Sequence, residues 1–153
     1  MIKSFLHIGI SVIDLEESVK FYSEIMQMNI AYRTRNKGDI ISRIVDVKDV
    51  DMEVCVHEKN NLRIELLDYK NAEKKKLINY PDQDQPGLVH ISFLVDNVDK
   101  EYERIKAHGY EFNSPPVVAR ENGPKITYFK GPDNVVIEIY EKGSSINGNG
   151  NEN

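Results

Sequence analysis

Cysteine is nearly absent from this chain. A single residue, Cys55, in 153 positions excludes an internal disulfide framework and any zinc module built on thiolates, and it suits a reducing compartment. An excess of positive charge is lacking too. Twenty Lys and Arg against 25 Asp and Glu leave a net charge of −5, which argues against a nucleic-acid or anionic-membrane surface. Long hydrophobic runs are missing: stretches such as Val135-Val136-Ile137 fall far short of the ~20 residues that a membrane-spanning helix needs. The first residues, Met1 to His7, lead to a charge at Asp14 before a secretory core forms, so a cytoplasmic protein is expected. No glycine-rich loop opens a helix and no serine elbow occurs; Gly123-Pro124 and Gly131-Pro132 read as turns rather than a phosphate cradle. What remains is a chain 40% hydrophobic and 29% charged, long enough to bury roughly two thirds of its unfolded surface in one domain.

The chain repeats itself. Val89-His90-Ile91-Ser92-Phe93-Leu94-Val95-Asp96 echoes Leu6-His7-Ile8-Gly9-Ile10-Ser11-Val12-Ile13-Asp14. Each segment is an apolar strand followed by an acidic turn into an amphipathic helix. Leu15, Val19, Tyr22, Ile25 and Met26 keep a 3.6-residue rhythm, with Asp14 as N-cap and Glu16 and Glu17 in the first turn. Val98, Tyr102, Ile105 and Lys106 keep the same rhythm, and Gly109 stops that helix. Strand-like segments follow at 30–35, 40–47, 52–56 and 62–69 after the first helix, and at 117–119, 126–130 and 135–140 after the second. Asn60-Asn61 and Gly131-Pro132-Asp133-Asn134 are turn chemistry between antiparallel strands.

The expected fold is therefore α+β: two paired βαβββ modules forming an open, cup-shaped mixed sheet with helices on the outer face. Module one covers residues 4–69 and module two 87–142, within a single domain 1–142. The linker 70–86 carries Lys74-Lys75-Lys76, read as a solvated helix face, and Pro81-Asp82-Gln83-Asp84. The tail 143–153 has almost no apolar content and is expected to be disordered.

Strand alternation sorts the side chains. Leu6, Ile8, Ile10 and Val12 point to a helix-covered core, and His7, Gly9 and Ser11 point away from it. In the equivalent strand of module two, Val89, Ile91, Phe93 and Val95 face the core, leaving His90, Ser92 and Leu94 opposite. Leu62, Ile64 and Leu66 alternate with Arg63, Glu65 and Leu67, and Val135, Ile137 and Ile139 alternate with Val136, Glu138 and Tyr140. Each repeat thus supplies one histidine near its start and one glutamate in its final strand, all on the face without helices. A carboxylate inside an apolar strand is costly without a partner, and two together repel. Two imidazoles and two carboxylates form a ligand set for a divalent metal such as Zn, Ni, Co, Mn or Fe(II), and a poor one for Ca. His57, beside a hairpin turn, and His108, closing a helix, are expected at the surface. Cys55, with no basic neighbour in the sequence, is expected to be a core or edge thiol rather than a nucleophile.

Four stretches carry a resemblance to the vicinal oxygen chelate superfamily, which includes glyoxalase I, methylmalonyl-CoA epimerase, extradiol dioxygenases and bleomycin or fosfomycin resistance proteins. They are His7-Ile8-Gly9-Ile10 through Ser18-Val19-Lys20-Phe21-Tyr22, Arg63-Ile64-Glu65-Leu66-Leu67, His90-Ile91-Ser92-Phe93-Leu94-Val95-Asp96, and Tyr128-Phe129-Lys130-Gly131-Pro132-Asp133-Asn134 through Ile137-Glu138-Ile139. The resemblance implies that the family's four metal positions fall on His7, Glu65, His90 and Glu138, a pattern similar to glyoxalase I. That enzyme implies a metal-dependent lyase or isomerase that binds a small substrate through vicinal oxygens and moves a proton through a metal-stabilised enediolate. It also implies catalytic roles for Glu138, as the shuttling base, and Glu65. Ser11, Arg63, Tyr69, Ser92, Thr127 and Tyr140 are expected to shape the substrate side of the cup, with Arg63 suited to an anionic group.

The pattern departs from glyoxalase I at Ser11 and Tyr69, where that enzyme carries an arginine and an asparagine that grip glutathione, which counts against lactoylglutathione. The epimerase's additional glutamate is out of register, Val47 standing there between Asp46 and Asp49. Extradiol dioxygenases share a His/His/Glu triad but in longer chains, and bleomycin-type resistance proteins lack the ligands. A non-catalytic metabolite- or antibiotic-binding protein, an epimerase and an Fe(II) dioxygenase remain the alternatives. The resemblance further implies a homodimer.

Overall fold

In the computed structural model, which describes residues 1–73, 83–84 and 86–144, each half of the sequence folds as strand, helix and three further strands. The chain divides into two units, Met1–Lys76 and Leu77–Asn153. The lysine run at 74–76, Pro81 and Asp82 of the linker, and the tail from 145 onward lie outside the described residues.

In the first unit, β1 (Ile8–Ser11) leads into α1 (Leu15–Lys20), which a π-helical turn, Phe21–Ile25, continues. Then come β2 (Asn29–Lys37), α2 (Asp39–Val45), β3 (Asp51–Lys59) and β4 (Leu62–Tyr69). The sheet order is β1-β4-β3-β2, with β1 parallel to β4 and the other pairs antiparallel. The second unit repeats the scheme with β5 (Ile91–Leu94), α3 (Val98–Ala107), β6 (Val117–Val118), β7 (Lys125–Lys130) and β8 (Val136–Glu141). Its order is β5-β8-β7-β6, again with the first strand parallel to the last. Both are open mixed sheets of four strands, the paired βαβββ modules expected. No described helix is long and apolar enough to cross a membrane.

Local chemistry explains the boundaries. The Asp14 side chain accepts from the Glu17 N–H at the start of α1, and Asn97 accepts from the Lys100 N–H at the start of α3. Gly109, at φ 90°, ends α3 as a left-handed stop. β3 and β4 close around Asn60-Asn61, with Lys59 opposite Leu62 and Asn60 at φ 54°.

Residues 40–47, expected as a strand, form helix α2 instead. Their β-branched composition suggests a strand, but Ile41 and Val45 stand four apart and turn together onto Val50, Met52, Val54 and Val56. The turn is held at both ends. Ser42 Oγ donates to the Gly38 carbonyl at 2.9 Å and accepts from the Val50 N–H at 2.9 Å. Asp46, left-handed at φ 53°, closes it with its N–H on the Ser42 carbonyl. Packing thus overrides propensity. Because Met52, Val54 and Val56 lie opposite Tyr69, Leu67 and Glu65, α2 covers part of the sheet face that carries Glu65. β1 also begins later than expected: Leu6, expected in the core, is 63% exposed.

The cores lie on the opposite faces. α1 packs on β3 and β4, with Leu15, Val19, Phe21, Tyr22, Ile25 and Met26 buried on the same side as Ile64 and Leu66. α3 packs on β7 and β8, burying Val98 and Ile105 against Phe129, Ile137 and Ile139. Phe129 stands within 5.9 Å of Tyr110 and 4.9 Å of Phe112, ring centre to ring centre.

Candidate functional site

Strand parity places the site residues. Ile64 and Leu66 are fully buried on the helix side of β4, so Glu65 between them faces the other way. Gly9 of β1 lies opposite Glu65, and His7, two residues earlier, extends along the same face. Its Nε2 reaches to 3.3 Å of Glu65 Oε2, with both side chains partly exposed. The second unit repeats this. Ile137 and Ile139 are buried, Glu138 between them turns outward, Ser92 of β5 lies opposite, and His90 extends from two residues earlier. His90 Nε2 lies 3.8 Å from Glu138 Oε2.

The second pair is held by further contacts. The Gln83 side-chain N–H donates to the Val89 carbonyl at 3.0 Å, which directs its oxygen to His90 Nδ1 at 2.9 Å. Nδ1 therefore carries the proton, and Nε2 presents its lone pair toward Glu138. Tyr128, opposite Glu138 in the β7–β8 pair, donates its hydroxyl to Glu138 Oε1. Its ring meets the His90 ring edge-on, with centres 5.4 Å apart. Burial first, and Glu138 second, push the Tyr128 phenol up to about 12, so it remains a donor at neutral pH. Glu138 is 8% exposed, and the 3.8 Å separation at Oε2 is too long for a hydrogen bond.

The remaining expected residues divide. Ser92 is exposed beside Glu138, Tyr140 lies on the same face of β8, and Ser11 is exposed opposite Leu67 on the Glu65 face. Tyr69 is half-buried against the apolar cluster under α2. Arg63 is on the Glu65 side but ion-pairs with Glu58 at 3.0 Å, so its guanidinium already has an anion. Thr127 is a correction. It lies opposite Ile139 on the core side, is 2% exposed, and donates to the Ser114 carbonyl at 2.7 Å. The residue on the Glu138 side is its neighbour Tyr128, which sequence reasoning missed. The apolar Phe129 carried the signal, since a core residue there turns Tyr128 outward. Gln83 sits in a polar linker and had no such signal.

His57, expected at the surface, is fully buried. β3 runs further than expected, so His57 shares the core side with Cys55 and lies opposite Ile64. It sits beneath the π-helical turn, with Nε2 3.0 Å from Ser23 Oγ and Nδ1 3.9 Å from Cys55 Sγ. Cys55 is buried as expected, but it does have a basic neighbour: Arg33 lies opposite on β2. Burial outweighs that cation and pushes the thiol up, so it is not an activated nucleophile. His108 is exposed, as expected.

Burial also holds the His57 imidazole below its usual value, so the fold favours its neutral form. The unfolded chain therefore takes up this proton first as the pH falls. The stability contributed by neutral His57 is complete above about pH 6.5 and is lost as the pH falls through the lower folded value. Urea midpoints across that range are expected to fall with pH in the wild type. In His57→Gln that part of the slope should be missing.

Each unit offers one imidazole and one carboxylate, and among the described residues of either unit no three His, Cys, Asp or Glu side chains gather around a common point. Two donors are half of a four-coordinate zinc shell and a third of a six-coordinate one, and nitrogen with carboxylate oxygen is a chemistry that divalent transition metals accept. The buried Glu138 carboxylate, given one hydrogen-bond donor, is compatible with a cation at its second oxygen.

Paired βαβββ sheets that present a histidine and a glutamate at equivalent positions describe a recognisable class. Residues 4–139 match the model of the glyoxalase/bleomycin resistance protein/dioxygenase superfamily, and the chain belongs to that superfamily. It is 25% identical over 141 residues to the uncharacterized protein YraH of Bacillus subtilis (strain 168), covering 89% of this chain and 96% of that one. A glyoxalase family protein from Bacillus cereus has a similar structure, with a TM-score of 0.83, 21% identity and coverage of 93% of this chain and 95% of the other. The fosfomycin resistance protein FosX from Listeria monocytogenes, solved with Mn(II) and sulfate, is similar at a TM-score of 0.61 and 22% identity, covering 94% of this chain and 96% of that one.

Proposed function

We propose that this protein is a metal-dependent lyase or isomerase of the glyoxalase type, with His7, Glu65, His90 and Glu138 as ligands of a divalent ion. The observation that supports it most is the doubling. A histidine and a glutamate meet on the side of the sheet away from α1 and α3 in both units, at equivalent strand positions. One such pair has ordinary explanations in a half-solvated sheet, but the same pair in both repeats has a common chemical use. The Mn(II) in the FosX structure shows that a member of the fold holds such an ion.

A divalent ion held there acidifies a C–H beside a carbonyl that it polarises. The protein's own part is to hold and move the proton. Glu138, tied at Oε1 by Tyr128, presents Oε2 at a fixed position. That same oxygen is the one left for the ion, so it would act as the base only once substrate oxygens have taken its place there. It would then take a proton from one carbon and return it to the adjacent one, so no electrons leave the substrate. Glu65, hydrogen-bonded by no comparable phenol among the described residues, is its counterpart in the first unit. Ser11, Ser92 and Tyr140 offer polar contacts to an oxygen-rich substrate. The exposed apolar side chains of Leu94, opposite Tyr140, and of Ile40 and Ile44 on α2 favour a substrate with an apolar portion as well.

The test is proton exchange. Incubation with thiohemiacetals, 2-oxoacids and CoA esters in deuterated water is expected to place solvent deuterium on carbon in one class, and Glu138→Gln should abolish it. Ligand-induced stabilisation without exchange, unchanged in Glu138→Gln, would favour a non-catalytic binding protein. Oxygen uptake with a catechol would favour a dioxygenase.

A further inference from the structure

The two His–Glu pairs are equivalent in sequence but not in their surroundings. Both members of the second pair have one atom occupied by a neighbour. Gln83 takes His90 Nδ1, and its own orientation is fixed by the Val89 carbonyl. Tyr128 takes Glu138 Oε1, with its ring packed edge-on against the His90 imidazole. The atoms left over, Nε2 and Oε2, are the two that face each other at 3.8 Å. In the first pair, the residue opposite Glu65 on β3 is Val56, which has no donor to give.

We propose that Tyr128 and Gln83 are the positioning residues of the metal centre, setting which oxygen of Glu138 and which nitrogen of His90 meet the ion. This rests on the metal-binding reading above. A carboxylate free to rotate must lose that freedom when it binds, and an imidazole in the wrong tautomer must move a proton first. Both costs are removed by a neighbour that bonds the other atom, which is why such contacts change metal affinity by about 10–100-fold. The His–Glu pair of the second unit is therefore the more preorganised of the two.

The experiment is a calorimetric titration of metal-free protein with Mn(II) and Ni(II), comparing wild type with Tyr128→Phe, Gln83→Leu and Tyr102→Phe. Phenylalanine keeps the ring against His90 and removes only the hydroxyl. Tyr102, on α3, is the control for a tyrosine substitution elsewhere. Melting curves confirm that each variant is folded. Tyr128→Phe and Gln83→Leu are each expected to bind about tenfold or more weakly, and Tyr102→Phe as wild type. In the metal-free wild type, the nitrogen NMR shifts of His90 are expected to show the Nδ1–H tautomer, and Gln83→Leu a mixture. Affinity within about twofold of wild type in Tyr128→Phe overturns its role, and an Nε2–H tautomer in the wild type overturns that of Gln83. Absence of metal binding by the wild type overturns the metal-binding reading itself, and both roles with it.

Discussion

Glu138→Gln is expected to weaken divalent-metal binding by about a hundredfold or more while leaving the metal-free protein as stable as before, or more so. Replacing a partner one step removed from a metal costs about 10–100-fold in affinity, and removal of a charged ligand costs at least as much. The stability expectation has a separate origin. Glu138 is 8% exposed in an apolar strand and has one phenol donating to it, so its charge is poorly solvated. Glutamine keeps the shape, and its carbonyl oxygen still accepts from Tyr128, but no charge is buried. Metal titration and thermal unfolding of the same variant read the two effects apart. A clear loss of metal-free stability would mean that the carboxylate serves the fold rather than the ion.

Phe129→Ala is expected to do the reverse, lowering stability by roughly 3–5 kcal/mol. Phe129 is fully buried, lies opposite Ile137 in the sheet, and closes a ring cluster with Tyr110 and Phe112. In a chain of this size such a loss corresponds to a fall of roughly 10 °C in melting temperature. Its side chain points to the helix side, away from Glu138, so the folded fraction should still bind metal. A change of under about 1 kcal/mol would show that the sheet repacks around the cavity.

What the sequence reveals and what it hides have the same cause. Glu65 and Glu138 are legible because each stands between fully buried residues, and period-two alternation leaves a side chain there one direction. The repeated Leu/Val-His-Ile start exposes His7 and His90 in the same way. Alternation also fixes Tyr128 once Phe129 is recognised as core, but a polar threonine beside it is the more obvious site candidate, and Thr127 proves to be satisfied by Ser114. Helix α2 is hidden because five β-branched residues within 40–47 argue for a strand. Only tertiary packing of Ile41 and Val45 decides otherwise. His57 is hidden because burial of an imidazole depends on what covers it, and the covering turn, Phe21–Ile25, comes from another element.

The central claim is that the two His–Glu pairs serve to bind a divalent ion. Calorimetric titration of metal-free protein tests it most directly, with the wild type beside His7→Ala and Glu138→Gln. Saturable binding in the wild type, with strong loss in both variants, is the expected result. No binding of Mn(II), Ni(II), Co(II) or Zn(II), or binding that survives both substitutions unchanged, would contradict it.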